Sequence, residues 1–469
     1  MKIALVNPIT QSTQGYHTIG SKVPHLGLQV LARATPPGHQ IDLFDEIFGP
    51  SGLEERIEAG QYDLVGVTAM TSGATRAYQI ARHCREHKVP AVFGGIHAST
   101  REEEAREHFD AVAVGEADAL WPDIVADAAA GQLKPRYEGQ FADLEAGAGA
   151  ARQDLQPQNG KYSVACIQTG RGCPIGCKFC SVTRFNGKKI RRRPIENILD
   201  EWNTIRKRFV FVVDDNFFGL GSAQMDYSKE LLRAMIRHGK KHTWFSQTSV
   251  NLGDNEEALR LAHKAGCRGM LVGLETFNPQ SLKGHGKKLN YDNVERYREL
   301  IDNFHRCGIA VFGGLIIGND EDTPATVEDT LRQAIDIGVD IIQITNLTPL
   351  PGTPLFEELL AAGRLEATDF PADWEHYTFL NTVFTPKLMT SRELDESIYR
   401  MRKRVTREPW VWKRTWQVWR RTGSLSTALF AHSLNRAFKK VGQLLVPKGA
   451  LRFEPLSPLP DPDASVSGR

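Results

Sequence analysis

Three cysteines at short, unequal spacing are the residues of this chain best suited to chemistry. The stretch QTGRGCPIGCKFCSV, residues 168–182, holds Cys173, Cys177 and Cys180 as C-x3-C-x2-C. Three thiolates on a loop containing Gly and Pro can converge on one soft metal centre. A structural zinc site normally takes four protein ligands, and the next cysteine after Cys180 is Cys267. Three cysteines around a four-iron cube leave one iron open for a substrate or cofactor. The plainer alternatives are a loop of redox-inert thiols, or a zinc loop that borrows a distant ligand.

Such a loop needs a scaffold that brings other polar groups to it. A β/α alternation starts at Tyr162, with candidate strands YSVACIQT, FVFVVDD, HTWFSQTSV, RGMLVGLE, IAVFGGLIIG and DIIQITNL. Helical patterns fall between them, for example over 195–206, 254–264 and 290–305. Six units fit an incomplete (β/α)6 barrel, and β/α barrels carry their chemistry at the carboxyl ends of the strands. The cysteine loop directly follows the first strand. The other strand ends offer Asp214, Asp215 and Asn216, then Gln247, Ser249, Glu275, Gly318-Asn319 and Thr348-Pro349. Carboxylates and amides there can hold hydroxyl and ammonium groups; the plainer role for them is to cap helices.

The first part of the chain has five apolar runs, KIALVNP, QIDLFD, LVGVTAM, AVFGGIH and AVAVGEA, alternating with helical patterns. This predicts a doubly wound five-stranded parallel sheet covered on both faces. Ligands of such sheets bind beyond the carboxyl ends of the strands. Those ends carry Asn7-Pro8, Asp45, Thr68–Ser72, Gly94-Gly95-Ile96-His97 and Gly115-Glu116. Glycines there let a large flat ligand or a phosphate approach the backbone. Residues 131–160 are polar, contain EAGAGAARQ and read as a linker.

The cysteine spacing resembles that of the radical S-adenosylmethionine (SAM) enzymes, whose open iron is chelated by SAM. The resemblance implies a [4Fe–4S] cluster on Cys173, Cys177 and Cys180, with Phe179 near the adenine. GLETFN resembles the segment in which a Glu contacts the cofactor, here Glu275. GGLIIG resembles the glycine strand packed on the adenine. PLPGTPLFE, residues 349–357, resembles a loop of the cobalamin subgroup. With this motif downstream, the first domain resembles a cobalamin-binding domain through GG-x-H and VGEAD, implying contacts from Gly94, Gly95, His97, Gly115 and Glu116. The D-x-H-x-x-G motif, whose His ligates cobalt, is missing. That leaves cobalamin bound without a His ligand or an empty domain; His97 and His25 are candidate ligands, although a lone loop His is more often structural.

The resemblance implies a radical SAM enzyme that generates a 5′-deoxyadenosyl radical and, in its methylating members, transfers a methyl group from cobalamin to a lipid or secondary-metabolite substrate. A flavodoxin, ferredoxin or reductase would supply the electron. The alternatives are a cyclase, oxidase or carbon–carbon coupling enzyme, and a non-catalytic iron–sulfur carrier, which would not need the polar strand ends.

The chain of 469 residues has room for several cores. Its organisation reads as a cobalamin-binding-like domain over 1–130, the linker 131–160, the barrel 161–365, a helical region 366–445 and a disordered tail 446–469. Seven cysteines, three of them in the motif, make no disulfide framework. The start MKIALVNP lacks a signal peptide's apolar core, and no apolar run reaches the roughly 18 residues that span a bilayer. These features predict a cytoplasmic protein. Cys166, Cys267 and Cys307 read as buried small hydrophobes, and the basic run 184–193 could neutralise a carboxylate near the site, although a solvated charged face is the commoner explanation. Residues 400–440 carry twelve Lys or Arg and one acid, Glu408, interleaved with Trp410, Trp412, Trp416 and Trp419. Leu425, Leu429, His432 and Phe438 follow, roughly on one helical face. This suits a segment lying on an anionic inner leaflet, with a substrate-covering cap as the alternative and nucleic acid not expected.

Overall fold

The computed structural model describes residues 1–9, 23–49, 51–139 and 141–444; the tail expected to be disordered lies outside them. The first sheet is built from β1 (Lys2–Asn7), β2 (Gln40–Asp45), β3 (Leu64–Thr68), β4 (Ala91–Gly94), β5 (Ala111–Val114) and β6 (Arg136–Glu138). All pairings are parallel, in the order β2-β1-β3-β4-β5-β6. Short runs of Val, Ala, Leu and Ile form these strands because both faces are buried. One face packs on the helix Ala74–Glu86, the other on Leu26–Ala34 and Trp121–Ala129. Strand order reverses between β1 and β3, so the loops after them part and open a crevice at the carboxyl end.

The sheet has six strands rather than the expected five. β6 falls inside the stretch read as linker: Arg136 and Glu138 are exposed and only Tyr137 turns inward. Three residues, two of them charged, leave no apolar run to read. Beyond β6 the chain is bonded to both sheets. Gln158 N donates to the Leu43 carbonyl, Tyr162 Oη to Asp45 at 2.9 Å, and Gln153 Nε2 to the Cys166 carbonyl.

The second sheet comprises β7 (Ala165–Ile167), β10 (Phe209–Val212), β11 (Thr243–Thr248), β12 (Cys267–Glu275), β13 (Ala310–Ile317) and β14 (Ile341–Asn346). Between β7 and β10, β8 (Gly170–Arg171) and β9 (Arg191–Arg192) pair as a short antiparallel ribbon. The order β14-β13-β12-β11-β10-β7 is wholly parallel and open, an incomplete barrel. Alternate residues such as Met270, Val272 and Val311 meet the outer helices. Phe245, Leu271 and Phe312 face the lumen side. Cys166, Cys267 and Cys307 are free and buried.

The C-terminal helices finish the barrel. The helix Ser391–Val405 lies along β14, where buried Arg402 donates to the Ile344 carbonyl and blunts the open edge. Helices Glu408–Thr422 and Leu425–Leu444 form a hairpin under the strands. Phe430 packs on Phe245 and Phe438 on Phe312. Thr427 Oγ1 donates to the Gly308 carbonyl and Asn435 to the Asp340 carbonyl, both at strand entries. The hairpin therefore closes the foot of the barrel, opposite the cysteine loop. The face expected on the last helix divides: Leu425 and Leu429 are exposed while Phe438 points inward, because thirteen residues at 3.6 per turn carry position 438 round the helix. No described helix is long and apolar enough to cross a membrane.

Candidate active site

The cysteine loop leaves β8 and is held from several sides. Gly172 N donates to Asp215 Oδ2 at 2.9 Å, Cys173 N to the Gly187 carbonyl, and Lys178 N to the His285 carbonyl. Asp214 is fully buried. It accepts from Thr169 N at 2.6 Å and from Arg192 at 3.1 Å, tying β10 to the ribbon beneath the loop. Asn186 also donates to Asp215. Burial pushes both carboxyls above the usual range, opposed by Arg192 for Asp214 and by Gly172 N for Asp215. Asn216 Nδ2 donates to Ser249 Oγ at 2.6 Å, and its amide works weakly against the rise at the Cys173 thiol. Gln247 is half-buried beside the Asp214 carbonyl. The Phe179 ring meets His285 edge-on at 5.3 Å, and His285 Nε2 is 2.8 Å from Asn319 Oδ1.

Burial raises all three thiols, Cys177 to about 11 and Cys180 to about 12, with the same direction at Cys173. One cation works against this at every thiol: the Lys287 ammonium. Lys287 Nζ sits 2.6 Å from Glu275 Oε1, with both side chains nearly enclosed. Burial by itself would lower the ammonium, but Glu275 and Cys177 outweigh it and push it up. Glu275 ends β12 with φ of 65°, a left-handed conformation a Glu side chain rarely takes. A Cβ on Gly273 would lie 2.4 Å from Glu275 Oε1 and 3.2 Å from Lys287 Nζ, so a side chain there would displace the pair.

Across the gap, the loops after β3 and β4 face the cysteine loop. Thr71, Ser72, Ile96, Ser181, Leu350 and Pro351 line one small crevice there, and Met70 on its rim is half exposed. Gly94 and Gly95 form the turn out of β4. Gly95 has φ of 92°, and a Cβ there would reach within 2.4 Å of Thr68 Oγ1. Gly115 N donates to Ser99 Oγ. A larger crevice of about 940 Å³ lies elsewhere, between Gln29, residues 150–156 and Glu201. None of the three cysteines lines it, so size alone does not mark the site.

Two residues of the first sheet point away from the crevice. His97 is fully enclosed: its Nε2 lies 3.2 Å from Tyr78 Oη and 3.4 Å from Glu104, and its ring abuts Trp374 at 5.4 Å. Glu116 accepts from Arg171 at 2.8 Å, from Arg191 and from Ala142 N, while Asp118 takes the rest of the Arg171 guanidinium. Arg171 directly precedes Gly172-Cys173, so these acids anchor the first sheet to the cysteine loop. His25 stands beside Asp45, and burial lowers its pKa against that carboxylate.

Residues 167–334 match the model of the radical SAM superfamily, and residues 15–125 match the B12 binding domain. Bacteriochlorophyllide d C-8(2)-methyltransferase of Chlorobaculum tepidum is 30% identical over 379 residues, 76% of this chain and 80% of that protein. The chain belongs to the cobalamin-dependent radical SAM enzymes. The anaerobic magnesium-protoporphyrin IX monomethyl ester cyclase of Cereibacter sphaeroides is 26% identical across 87% of this chain and 72% of its own. The fold matches TsrM of Kitasatospora setae, a radical SAM methyltransferase solved with cobalamin and a [4Fe–4S] cluster. Its TM-score is 0.64 at 18% identity, covering 85% of this chain and 90% of that one.

The radical SAM enzyme works with a [4Fe–4S] cluster, SAM and cobalamin, and its donor groups suit them. Three free thiols on one short loop can each hold one corner of such a cube. The buried Lys287 ammonium offsets part of the negative charge such a centre brings. For cobalamin, uncharged groups line the facing strand ends, and the His97 imidazole is absent from that lining. The cysteines, Glu275 and the glycines were legible in the sequence. Lys287, His285 and Arg171 were not: the first two lie between short helices and Arg171 on a two-residue strand, none with a periodic pattern, and only contact reveals them.

Proposed function

We propose that this enzyme methylates an unactivated carbon of a lipid or secondary-metabolite substrate. The observation that carries the reading is the cysteine loop with its buried Glu275–Lys287 pair, facing the uncharged strand-end crevice of the first sheet across Ser181. Cys173, Cys177 and Cys180 would hold the cluster and leave one iron for SAM. When bound, the cluster supplies the electron that cleaves SAM, and cobalamin supplies a methyl group for a carbon radical. The protein's own part is positioning and exclusion of water. Asp215, Asn216 and Ser249 fix the loop that bears Cys173. Glu275, held by Lys287, presents a carboxylate to the SAM ammonium and hydroxyls, and Phe179 offers a ring to its adenine. Gln247 lies within the same mouth. Gly94, Gly95 and Gly115 let a corrin approach the backbone, while Glu116 keeps the two sheets in register.

The methyltransferase relative supports methyl transfer. The cyclase relative favours a second reading, hydrogen abstraction without methylation. A reduced flavodoxin- or ferredoxin-type protein would deliver the electron. The reading includes association with the cytoplasmic face of a membrane, where apolar substrates are concentrated. Anaerobic reconstitution with dithionite, SAM and candidate substrates, followed by mass spectrometry, tests it. 5′-Deoxyadenosine together with S-adenosylhomocysteine supports methylation; 5′-deoxyadenosine alone supports the second reading.

A further inference from the structure

The hairpin at the barrel foot turns an unusual face to solvent. Trp412 is 61% exposed, Trp416 51% and Trp419 49%, with Leu425 at 63% and Leu429 at 55%. The three tryptophans, at i, i+4 and i+7, share one side of their helix, while Val411, Arg414 and Val418 on the other side are buried. Trp412 and Thr415 both meet His432, so the two helices run antiparallel and set Leu429 and Leu425 alongside the Trp row. Each tryptophan leaves about half its surface in water, a standing cost unless something covers it.

The charges around this face are of one sign. Lys413 and Arg420 flank the Trp row and are exposed, Arg407 and Arg436 are exposed near its N-terminal end, and the single acid between residues 407 and 436 is half-buried Glu408, 3.9 Å from Arg436. The Arg420 guanidinium lies over the Trp416 ring at 5.0 Å. A second copy of the chain would oppose these cations to themselves, which disfavours a symmetric pairing. Nucleic acid would use the rings as stacking platforms but leave the leucines at the hairpin turn without a partner. An anionic bilayer satisfies all three features: indoles at the headgroup level, leucines below them, cations on the lipid phosphates.

We propose that this face docks the enzyme on an anionic lipid surface. Because the hairpin closes the foot of the barrel, it is a tether and not the substrate's entrance. The tether therefore holds whichever substrate the barrel takes and whether or not methyl transfer occurs.

The test uses the full-length protein with phosphatidylcholine–phosphatidylglycerol vesicles and with phosphatidylcholine vesicles. Wild type sediments with the mixed vesicles, and its Trp emission shifts to the blue. Combining Trp412→Ser, Trp416→Ser and Trp419→Ser lowers partitioning about tenfold or more. Lys413→Glu with Arg420→Glu removes the preference for anionic vesicles. Unchanged SAM cleavage in both variants shows that they fold. Equal sedimentation of wild type and the Trp variant overturns the proposal. So does a Trp-dependent dimer or Trp-dependent oligonucleotide binding without vesicle binding.

Discussion

The carboxyl ends of the two parallel sheets in this enzyme are built on opposite principles. The barrel end is charged and enclosed: three thiols, buried Asp214, half-buried Asp215 and the Glu275–Lys287 pair, with both aspartates and the pair held by named contacts. The first sheet offers Met70, Thr71, Ser72 and Ile96 to its crevice and turns its charged groups aside. His97 goes beneath Trp374 and Glu116 goes to the arginines of the barrel. A small, highly charged centre needs preorganised charges in a low-dielectric pocket. A large flat cofactor needs shape and exposed backbone. Glu116 thus does its work at the seam between the sheets, and His97 does its work inside the packing of the first domain, rather than in the crevice.

The largest effect expected lies at the charged end. Cys177→Ala brings 5′-deoxyadenosine formation to background and lowers bound iron, measured by mass spectrometry and iron assay; near wild-type cleavage would break the comparison at its root. The seam comes next. Glu116→Ala leaves Arg171 only Asp118 and Arg191 only backbone carbonyls in a largely buried place, where loss of one partner costs about 5 kcal/mol at most. Urea denaturation should show this loss, with cobalamin affinity falling alongside it. If stability falls while cobalamin binds as before, Glu116 serves the seam alone.

Lys287→Met leaves Glu275 buried without its cation and should cost about 3 kcal/mol. Adding Glu275→Gln should recover much of that, so a double-mutant cycle reports the pair directly. Additive losses would show that the two side chains act separately.

The smallest effect is at His97. Burial lowers its pKa against the pull of Glu104, so the unfolded chain binds this proton more readily than the folded one. Stability contributed here is present above the unfolded value near 6.5 and falls as pH drops below it, by up to about 1.4 kcal/mol per pH unit. Comparing urea midpoints of wild type and His97→Asn between pH 7.5 and 5.5 isolates that slope. An identical slope in both proteins would mean that the imidazole is not held neutral.

How far the sequence reached follows from the range of each signal. The C-x3-C-x2-C spacing places three thiols on one loop whatever the rest of the chain does, and the β/α alternation gives two parallel sheets from local burial patterns. Both are read within a few residues, so both were legible. β6 was not, since one inward Tyr137 between two charges makes no pattern. Gly-Gly and Gly-Glu at strand ends advertised a ligand site, yet Glu116 answers to Arg171, 55 residues away.

By itself the sequence determined the three-cysteine loop, the two stacks of parallel strands and the polar strand ends, because backbone periodicity and short spacing are local properties. Tertiary structure alone decided that Lys287 would sit against Glu275 and the thiols, and that the last two helices would seal the barrel foot with three of their four tryptophans outward. Those facts depend on which surfaces meet once the chain has closed on itself, and no local pattern encodes the partner of a buried charge.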